Sequence, residues 1–343
     1  MKKFKKQSFP ARLAIMLCCV LLFTACSSNA TAPSEPSDQN PTQAPEGTPS
    51  TPAIIESEGL AYRVNSDQKT CIITGIGTCK DTDLYIPQKI DGYDVTEIAE
   101  SAFSNCSQLI SVTVPNHVKK IGHWAFYQCN NLTTLSIPFV GAGNGSNAAI
   151  NFEYIFGATG SNQSIDDRDH APESLKTVIV TGSGFIHTGA FMQCRNITSI
   201  TLTGTIIEIH DGAFSGCSGL TELILPDSVE EIRSQAFMGC NKLTQIKLPN
   251  SLKSLGNEAF RNCSRLTDIV VPKSVTAFGN SAFQNCTALK SFFYCGTAEE
   301  WNAIEKNDST EIISAATVYY YSETQPTASG NYWRYVDDVP TAW

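Results

Sequence analysis

The apolar residues of this chain recur at a fixed spacing. The dipeptide Ala-Phe forms a series of seven copies, and five of the six intervals between their phenylalanines are 23 residues. Each of these phenylalanines is followed three residues later by a cysteine, and then by an apolar triplet spaced L-x-x-L-x-L. The phenylalanines are Phe103, Phe126, Phe191, Phe214, Phe237, Phe260 and Phe283. Alternation inside the triplet indicates a short strand with one face turned inward.

A single 23-residue unit cannot cover its own apolar edge, whereas stacked units can. A period between 20 and 29 residues with this triplet is typical of leucine-rich repeats. The sequence therefore predicts an α/β repeat fold, a leucine-rich-repeat solenoid of 23-residue coils. We expect a parallel strand ladder on its concave face, short helical turns, second-side strands, and caps at both ends. The N-terminal cap is assigned to residues 54–98, the repeats to 99–295 and the C-terminal cap to 296–343.

The one irregular interval is the 65 residues from Phe126 to Phe191. It contains one further triplet (Leu175, Val178, Val180), and Phe152–Phe156 resembles a degenerate closing turn. These features predict an altered coil with an irregular excursion over residues 139–173. Asp166, Asp167 and Asp169 lie in the excursion and could hold Ca²⁺, but they lack the EF-hand spacing, which favours a solvated loop.

The start of the chain has the order of an export signal. Five cations within residues 2–12 precede the apolar run Leu13–Phe23, which is too short to span a bilayer. The run leads into Thr24-Ala25-Cys26, which resembles the lipobox of bacterial lipoproteins. Residues 1–26 are thus predicted to be a lipoprotein signal peptide and lipobox with Cys26 as the lipidated residue. Phe23 stands where a lipobox has Leu, so a plain secretory signal or an uncleaved anchor stays open.

Residues 27–53 are rich in Pro, Ser and Thr and poor in aliphatic side chains, which predicts a disordered tether. Without the five N-terminal cations, the chain has 19 of its 24 basic residues and all 33 acidic ones, so it is strongly acidic. Binding to phosphate backbones and to anionic lipid surfaces depends on Lys and Arg. We therefore expect no nucleic-acid partner, and membrane contact through the N-terminal lipid only.

The seven cysteines of the repeats invite a metal or redox hypothesis, because neighbouring coils would bring them near disulfide range. Burial of small apolar thiols explains the same pattern, and no C-x-x-C pair is present. Cys71 and Cys79 flank a predicted hairpin around Thr74–Gly77 and are a candidate disulfide. Cys295 is expected to be an accessible thiol on the outward face.

No catalytic motif is found in the sequence. Its five histidines fall in different coils and fit no H-E-x-x-H, and no G-x-S-x-G occurs. We therefore expect no enzyme activity, no catalytic residue, no metal and no cofactor.

Outward strand positions are the better candidate for function, because a solenoid presents them as one column. The predicted column consists of Thr113, Ser136, Ile179, Thr201, Ile224, Lys247, Val270 and Phe293. Its apolar members in the C-terminal half are expected to be exposed, and exposed apolar surface often marks a contact site. The aromatic tail Gly330–Val336 is interpreted as a lid over apolar side chains, with a carbohydrate or choline platform as the alternative.

Units such as AFSGCSGLTELILPDSVEEI (residues 213–232) resemble the BspA-like family of leucine-rich-repeat surface proteins, and the resemblance covers about residues 58–343. It implies adhesion, host-matrix binding or contact with other microbes. The expected function is a non-catalytic cell-surface binding protein with a protein or glycan ligand, secreted and lipid-anchored to the outer face of a bacterial cell membrane. A passive spacer or envelope coat is the alternative, and a metal or redox protein is a third.

Overall fold

A computed structural model describes residues 55–143, 151–157, 171–307, 310–327, 329–337 and 339–343. Residues 56–343 belong to one compact unit. The predictions made for residues 1–26, for Cys26, for the tether over 27–53 and for the three aspartates of the excursion lie outside the described residues. No helix in the described part of the chain has the length and apolar character needed to cross a membrane.

The described residues contain 22 strands, two α-helices and one 3-10 helix. The strands are β1 (Ala61–Val64), β2 (Thr70–Gly75), β3 (Asp83–Tyr85), β4 (Lys89–Ile90), β5 (Tyr93–Ile98), β6 (Ser111–Thr113), β7 (Lys120–Ile121), β8 (Thr134–Ile137), β9 (Thr177–Val180), β10 (Gly184–Ile186), β11 (Ser199–Leu202), β12 (Ile206–Ile209), β13 (Glu222–Ile224), β14 (Glu231–Ile232), β15 (Gln245–Lys247), β16 (Ser254–Leu255), β17 (Asp268–Val271), β18 (Ala277–Phe278), β19 (Ser291–Tyr294), β20 (Thr317–Tyr321), β21 (Tyr332–Val336) and β22 (Val339–Ala342). The helices are the 3-10 helix Phe152–Phe156, α1 (Ala298–Ala303) and α2 (Thr310–Ala315).

Two ladders of parallel strands run through the stack, as the 23-residue period predicts. The first ladder joins β3, β6, β8, β9, β11 and β13, and its second part runs from β15 through β17, β19, β20 and β21 to the antiparallel strand β22. The second ladder joins β10, β12, β14, β16 and β18. Neighbouring coils pair in register, with Ser199 beside Glu222 and Glu231 beside Ser254. The predicted solenoid with second-side strands is confirmed.

A column of stacked phenylalanine rings lies between the ladders. The ring centroids of Phe191, Phe214, Phe237 and Phe260 are separated in turn by 5.2, 5.2 and 5.1 Å. Each ring is buried, and each Phe N–H donates to the alanine carbonyl of the next coil, as Phe214 does to Ala236 at 2.8 Å. Fully buried aromatic rings contribute strongly to core energetics, so this column is a continuous apolar support of the stack.

The altered coil has the predicted closing turn. The 3-10 helix Phe152–Phe156 places the Phe152 ring 5.0 Å from Phe191 and the Phe156 ring 6.4 Å from Phe126. It therefore bridges the phenylalanine column across the irregular interval. The triplet Leu175, Val178 and Val180 is buried beside it.

The N-terminal end differs from the expectation. The hairpin is formed by β1 and β2, and its turn occupies residues 65–69, so the hairpin predicted around Thr74–Gly77 is wrong. Strand β2 runs through Thr74, and β5 pairs with it in parallel. Strand β3 pairs with β6, so the first ladder already begins within the segment assigned to the N-terminal cap. Strand β5 pairs in parallel with β7 in a separate five-stranded sheet.

At the C-terminal end, α1 replaces the closing turn. Thr297 caps this helix, because its side chain accepts from the Glu300 N–H while the Glu300 carboxylate accepts from the Thr297 N–H. Strand β20, at the predicted position Thr317–Tyr321, extends the first ladder. Strands β21 and β22 then form a hairpin on its edge.

Candidate ligand-binding face

The outward side chains of the first ladder form the candidate site, which we call the ladder face. The structure aligns five members of the predicted column in one run (Thr113, Ser136, Ile179, Thr201, Ile224) and three in a second run (Lys247, Val270, Phe293). The two runs belong to separate sheets, because among the described strands β13 pairs only with β11 and β15 only with β17. We call the break between β13 and β15 the seam.

The missing strand pairing at the seam leaves the residues of β13 less buried than those of β15. Leu223 and Leu225 are half-buried, whereas the matching residues of the next coil, Ile246 and Leu248, are buried. Ile224 between them is 38% exposed. The phenylalanine column and the β14–β16 pair continue across the same two coils, so the stack opens on the ladder face alone. The sequence carries no signal for this opening, because Leu223 and Leu225 fit the repeat pattern.

The expectation that Val270 and Phe293 are exposed is wrong. Phe293 is 8% exposed and Val270 is likewise buried, because both lie under Trp333 of the C-terminal hairpin. The Trp333 ring centroid lies 5.4 Å from that of Phe293, and the Trp333 Nε1–H donates to the Tyr294 carbonyl oxygen at 2.9 Å. The tail is therefore a lid, as predicted, but it covers the ladder face.

Of the five members of the column other than Ile224, Val270 and Phe293, four are half-buried in the structure and one is buried. Thr113, Ile179, Thr201 and Lys247 keep part of their surface in contact with solvent. Ser136 is buried, because its small side chain lies in register between Thr113 and the larger Ile179. Ser136 therefore lies in the column, as its spacing predicts, but leaves little of its surface open to a ligand.

The repeat cysteines form a buried row. The Cys129 thiol donates to the Phe103 carbonyl oxygen at 3.1 Å, and Cys217 donates to the Phe191 carbonyl oxygen at 3.0 Å. Cys263 repeats the contact at 3.1 Å with Phe237. These three thiols each satisfy a backbone carbonyl of the preceding coil in the core, which is the buried-thiol arrangement expected from the sequence.

Burial also suppresses the chemistry of these sulfurs. It raises the pKa of Cys129 to about 12 and holds the pKa of Cys217 well above its ordinary value. Since the thiolate is the reactive and metal-binding form, these groups are inert at neutral pH. Within the described ranges, no three His, Cys, Asp or Glu side chains are placed to share a metal ion.

The two cysteines outside the repeat row also differ from expectation. Cys71 and Cys79 are buried thiols and form no disulfide. The hairpin that would have joined them is absent, because Cys71 pairs with Val64 and Val95 inside a sheet while Cys79 follows the end of β2. Cys295 is half-buried against the cluster around Trp333, so the lid reduces its predicted accessibility.

Two histidines from different coils meet on the second ladder. The ring centroids of His187 and His210 are 5.8 Å apart, and His210 Nε2 lies 3.3 Å from a Glu208 carboxylate oxygen. Burial is the main reason why the pKa of His210 is lowered, and the nearby Arg233 acts in the same direction. The sequence pattern did not predict this contact, although the 23-residue separation places the two rings in adjacent coils.

A search of curated proteins found no match to this chain. A leucine-rich-repeat protein of Treponema pallidum is 26% identical, with 67% of this chain and 88% of that chain covered and a TM-score of 0.38. A leucine-rich cell-surface protein of Faecalibacterium prausnitzii is 19% identical, with coverages of 74% and 98% and a TM-score of 0.29. The pneumococcal vaccine antigen PcpA is 16% identical, with coverages of 76% and 78% and a TM-score of 0.36.

The family described as BspA type leucine-rich repeat region matches residues 78–156 and 184–306 in six copies. These segments make up more than half of the 343 residues, and they contain the phenylalanine column, the cysteine row and most of both ladders. On the strength of this match and of the ladder geometry, the chain belongs to the BspA-type leucine-rich-repeat family.

Proposed function

We propose that the protein is a non-catalytic binding protein of a bacterial cell surface and that it captures a protein ligand on its ladder face. The observation that carries this proposal is the seam, where the exposed Ile224 lies between the half-buried Leu223 and Leu225. An apolar centre of this kind, surrounded by a polar rim, is the usual anatomy of a protein interface. The rim here consists of Thr201 in the preceding coil and Lys247 in the next.

The lid defines the extent of this surface. Because Trp333 covers Val270 and Phe293, the ligand contacts are confined to the part of the face between Thr113 and Lys247. The half-buried hydroxyls of Thr113 and Thr201 supply hydrogen bonds, and Ile224 supplies the apolar anchor. The buried, protonated cysteines take no part in this binding, which supports a function without catalysis.

Replacing Ile224 with Glu should lower the affinity for a protein ligand at least tenfold. A carboxylate placed in the apolar centre of an interface must lose water without gaining a partner, and about 1.4 kcal/mol of that cost already gives a tenfold change. The measurement is surface plasmon resonance of the 54–343 fragment over a panel of immobilised extracellular-matrix proteins.

Ile207→Glu is the matched control, because Ile207 is an equally exposed isoleucine on the second ladder. This control should bind as the wild type does. Equal losses in both variants, or no binding of the wild-type fragment to any protein of the panel, would favour the passive spacer instead.

The anchoring of the protein at the surface is a second part of this proposal, supported by the order of the N-terminal residues and by the resemblance of Thr24-Ala25-Cys26 to a lipobox. Cells expressing the full chain should incorporate labelled palmitate into it, and Cys26→Ala should abolish the incorporation and release the protein into the medium. Cys295→Ala is the control and should keep the label. Retention of label by Cys26→Ala would exclude this anchor.

A further inference from the structure

The coil that contains Phe126 differs from the other coils at two positions of its closing turn. In six of the seven coils, the residue two positions before the repeat phenylalanine is small or polar, whereas in the coil of Phe126 it is Trp124. The full series is Ser101, Trp124, Gly189, Gly212, Gln235, Glu258 and Ser281. The residue after the phenylalanine is aromatic only in the same coil, where Tyr127 stands in the series Ser104, Tyr127, Met192, Ser215, Met238, Arg261 and Gln284. Core packing does not explain these two rings, because both lie on the surface.

Trp124 is 40% exposed and Tyr127 is 38% exposed. Their ring centroids lie 6.2 Å apart, His123 stacks on Trp124 at 4.6 Å, and Tyr154 of the altered coil lies 4.8 Å from His123. We call these four side chains the aromatic ridge. Single exposed aromatic residues are ordinary, whereas a contiguous group of them often marks a contact site.

The ridge is held in place before any ligand arrives. Trp124 has a left-handed backbone with φ of 56°, a conformation that disfavours a bulky residue. Its Nε1–H donates to the Gly157 carbonyl oxygen at 3.2 Å. A Cβ atom at Gly157 would come within 3.0 Å of the Trp124 ring, so the glycine makes room for the indole. An exposed ring that is already ordered loses little entropy on binding.

The surroundings of the rings indicate the class of ligand. The Ser101 N–H donates to the His123 carbonyl oxygen at 2.9 Å, and the Asn105 N–H donates to the Tyr127 carbonyl oxygen at 2.7 Å. These bonds place the exposed Ser101 and Asn105 in the coil next to the rings. Gln128 adds a carboxamide, whose Nε2 donates to the Tyr127 hydroxyl. Flat aromatic faces are thus bordered by short hydroxyl and amide side chains.

We propose that the aromatic ridge binds a carbohydrate, with a sugar ring stacked on Trp124 and Tyr127 and its hydroxyls hydrogen-bonded by Ser101, Asn105 and Gln128. A pyranose ring has an apolar C–H face and a polar rim, which match the rings and their border. The exposed part of the ridge belongs to a single turn, whereas a stable protein interface needs about 800 Å² on each partner. This site is separate from the seam and does not depend on the function proposed for the ladder face.

The test uses the protein's own tryptophans. Trp301 and Trp333 are buried, and Trp343 is exposed, so the variant Trp343→Phe leaves Trp124 as the exposed indole among the four tryptophans of the sequence. This protein is titrated with cellohexaose, chitohexaose, mannohexaose and laminarihexaose, and separately with hexa-arginine. Tryptophan emission, acrylamide quenching and titration calorimetry report binding.

At least one hexasaccharide should shift the emission to the blue, protect Trp124 from acrylamide and give a calorimetric isotherm. Trp124→Gln and Tyr127→Ser should each weaken that isotherm at least tenfold, and both should fold, since Gln235 and Ser215 occupy the equivalent positions of other coils. Ile224→Glu should leave sugar binding unchanged. The proposal is overturned if no hexasaccharide binds at millimolar concentration, if Trp124→Gln binds as tightly as its parent, or if only hexa-arginine binds.

Discussion

Replacing Trp333 with alanine should destabilise the C-terminal cap by about 3–5 kcal/mol, the usual cost of truncating a buried aromatic side chain. Trp333 has no exposed surface, and its ring centroid lies within 5.4 Å of Phe293, 5.2 Å of Tyr321 and 4.9 Å of Tyr335. The substitution also removes the hydrogen bond from its indole to the Tyr294 carbonyl. Urea unfolding followed by circular dichroism measures the loss of stability.

The same variant should bind the dye ANS, because Val270 and Phe293 lose their cover. Trp343→Ala is the matched control, since Trp343 is an exposed tryptophan of the same hairpin that stacks on Arg334. The control should lose less than about 1 kcal/mol, as surface substitutions usually do. A Trp333→Ala variant with wild-type stability and no dye binding would show that the lid does not hold down this end of the face.

The lid illustrates what a periodic sequence can and cannot predict. Alternation within the triplet correctly places Phe293 on the outward side of its strand, in register with Val270. Burial of the Phe293 side chain depends on Trp333, which lies 40 positions further along the chain and belongs to no repeat. Sequence spacing therefore predicted the ladder and the column, but the covered part of the column follows from a long-range contact.

The predicted position of the N-terminal hairpin was wrong for a different reason, because two segments of the chain compete to form the turn. The hairpin was predicted around Thr74–Gly77, a segment that contains two glycines. The Asp67 carboxylate instead accepts the backbone N–H groups of Lys69 and Thr70 at 2.8 and 2.9 Å, and so closes the turn over residues 65–69. Since the turn determines which strands pair, this local difference also removed the candidate disulfide of Cys71 and Cys79.

The two binding regions also differ in how far the sequence reveals them. The aromatic ridge could have been found from the sequence, because Trp124 and Tyr127 replace small, polar or flexible residues at fixed positions of the repeat. The seam could not, because Leu223 and Ile224 fit the repeat consensus while the strand they form lacks a partner in the next coil. Departures from a repeat can thus be recognised in sequence when they change residue type, but not when they change only the pairing of strands.

Replacing Phe237 with alanine should both weaken the stack and divide it. The ring stacks on Phe214 at 5.2 Å and on Phe260 at 5.1 Å, and it lies in the coils where the first ladder is already open. Loss of a buried phenylalanine costs about 3–5 kcal/mol. In a repeat protein each coil contacts only its neighbours, so a weak central interface lets the two halves unfold separately.

We therefore expect one urea transition for the parent protein and two for Phe237→Ala. Both are made in the Trp124→Gln background, so that the emission of Trp301, Trp333 and Trp343 reports the C-terminal half alone. Hydrogen exchange of the strands before β13 reports the other half. Phe185→Ala is the control, because Phe185 is a largely exposed phenylalanine on the second ladder and its loss should leave a single transition near the wild-type midpoint. A single transition in Phe237→Ala, shifted but shared by both halves, would mean that the second ladder alone couples the coils. In that case the stack remains one cooperative unit across the seam.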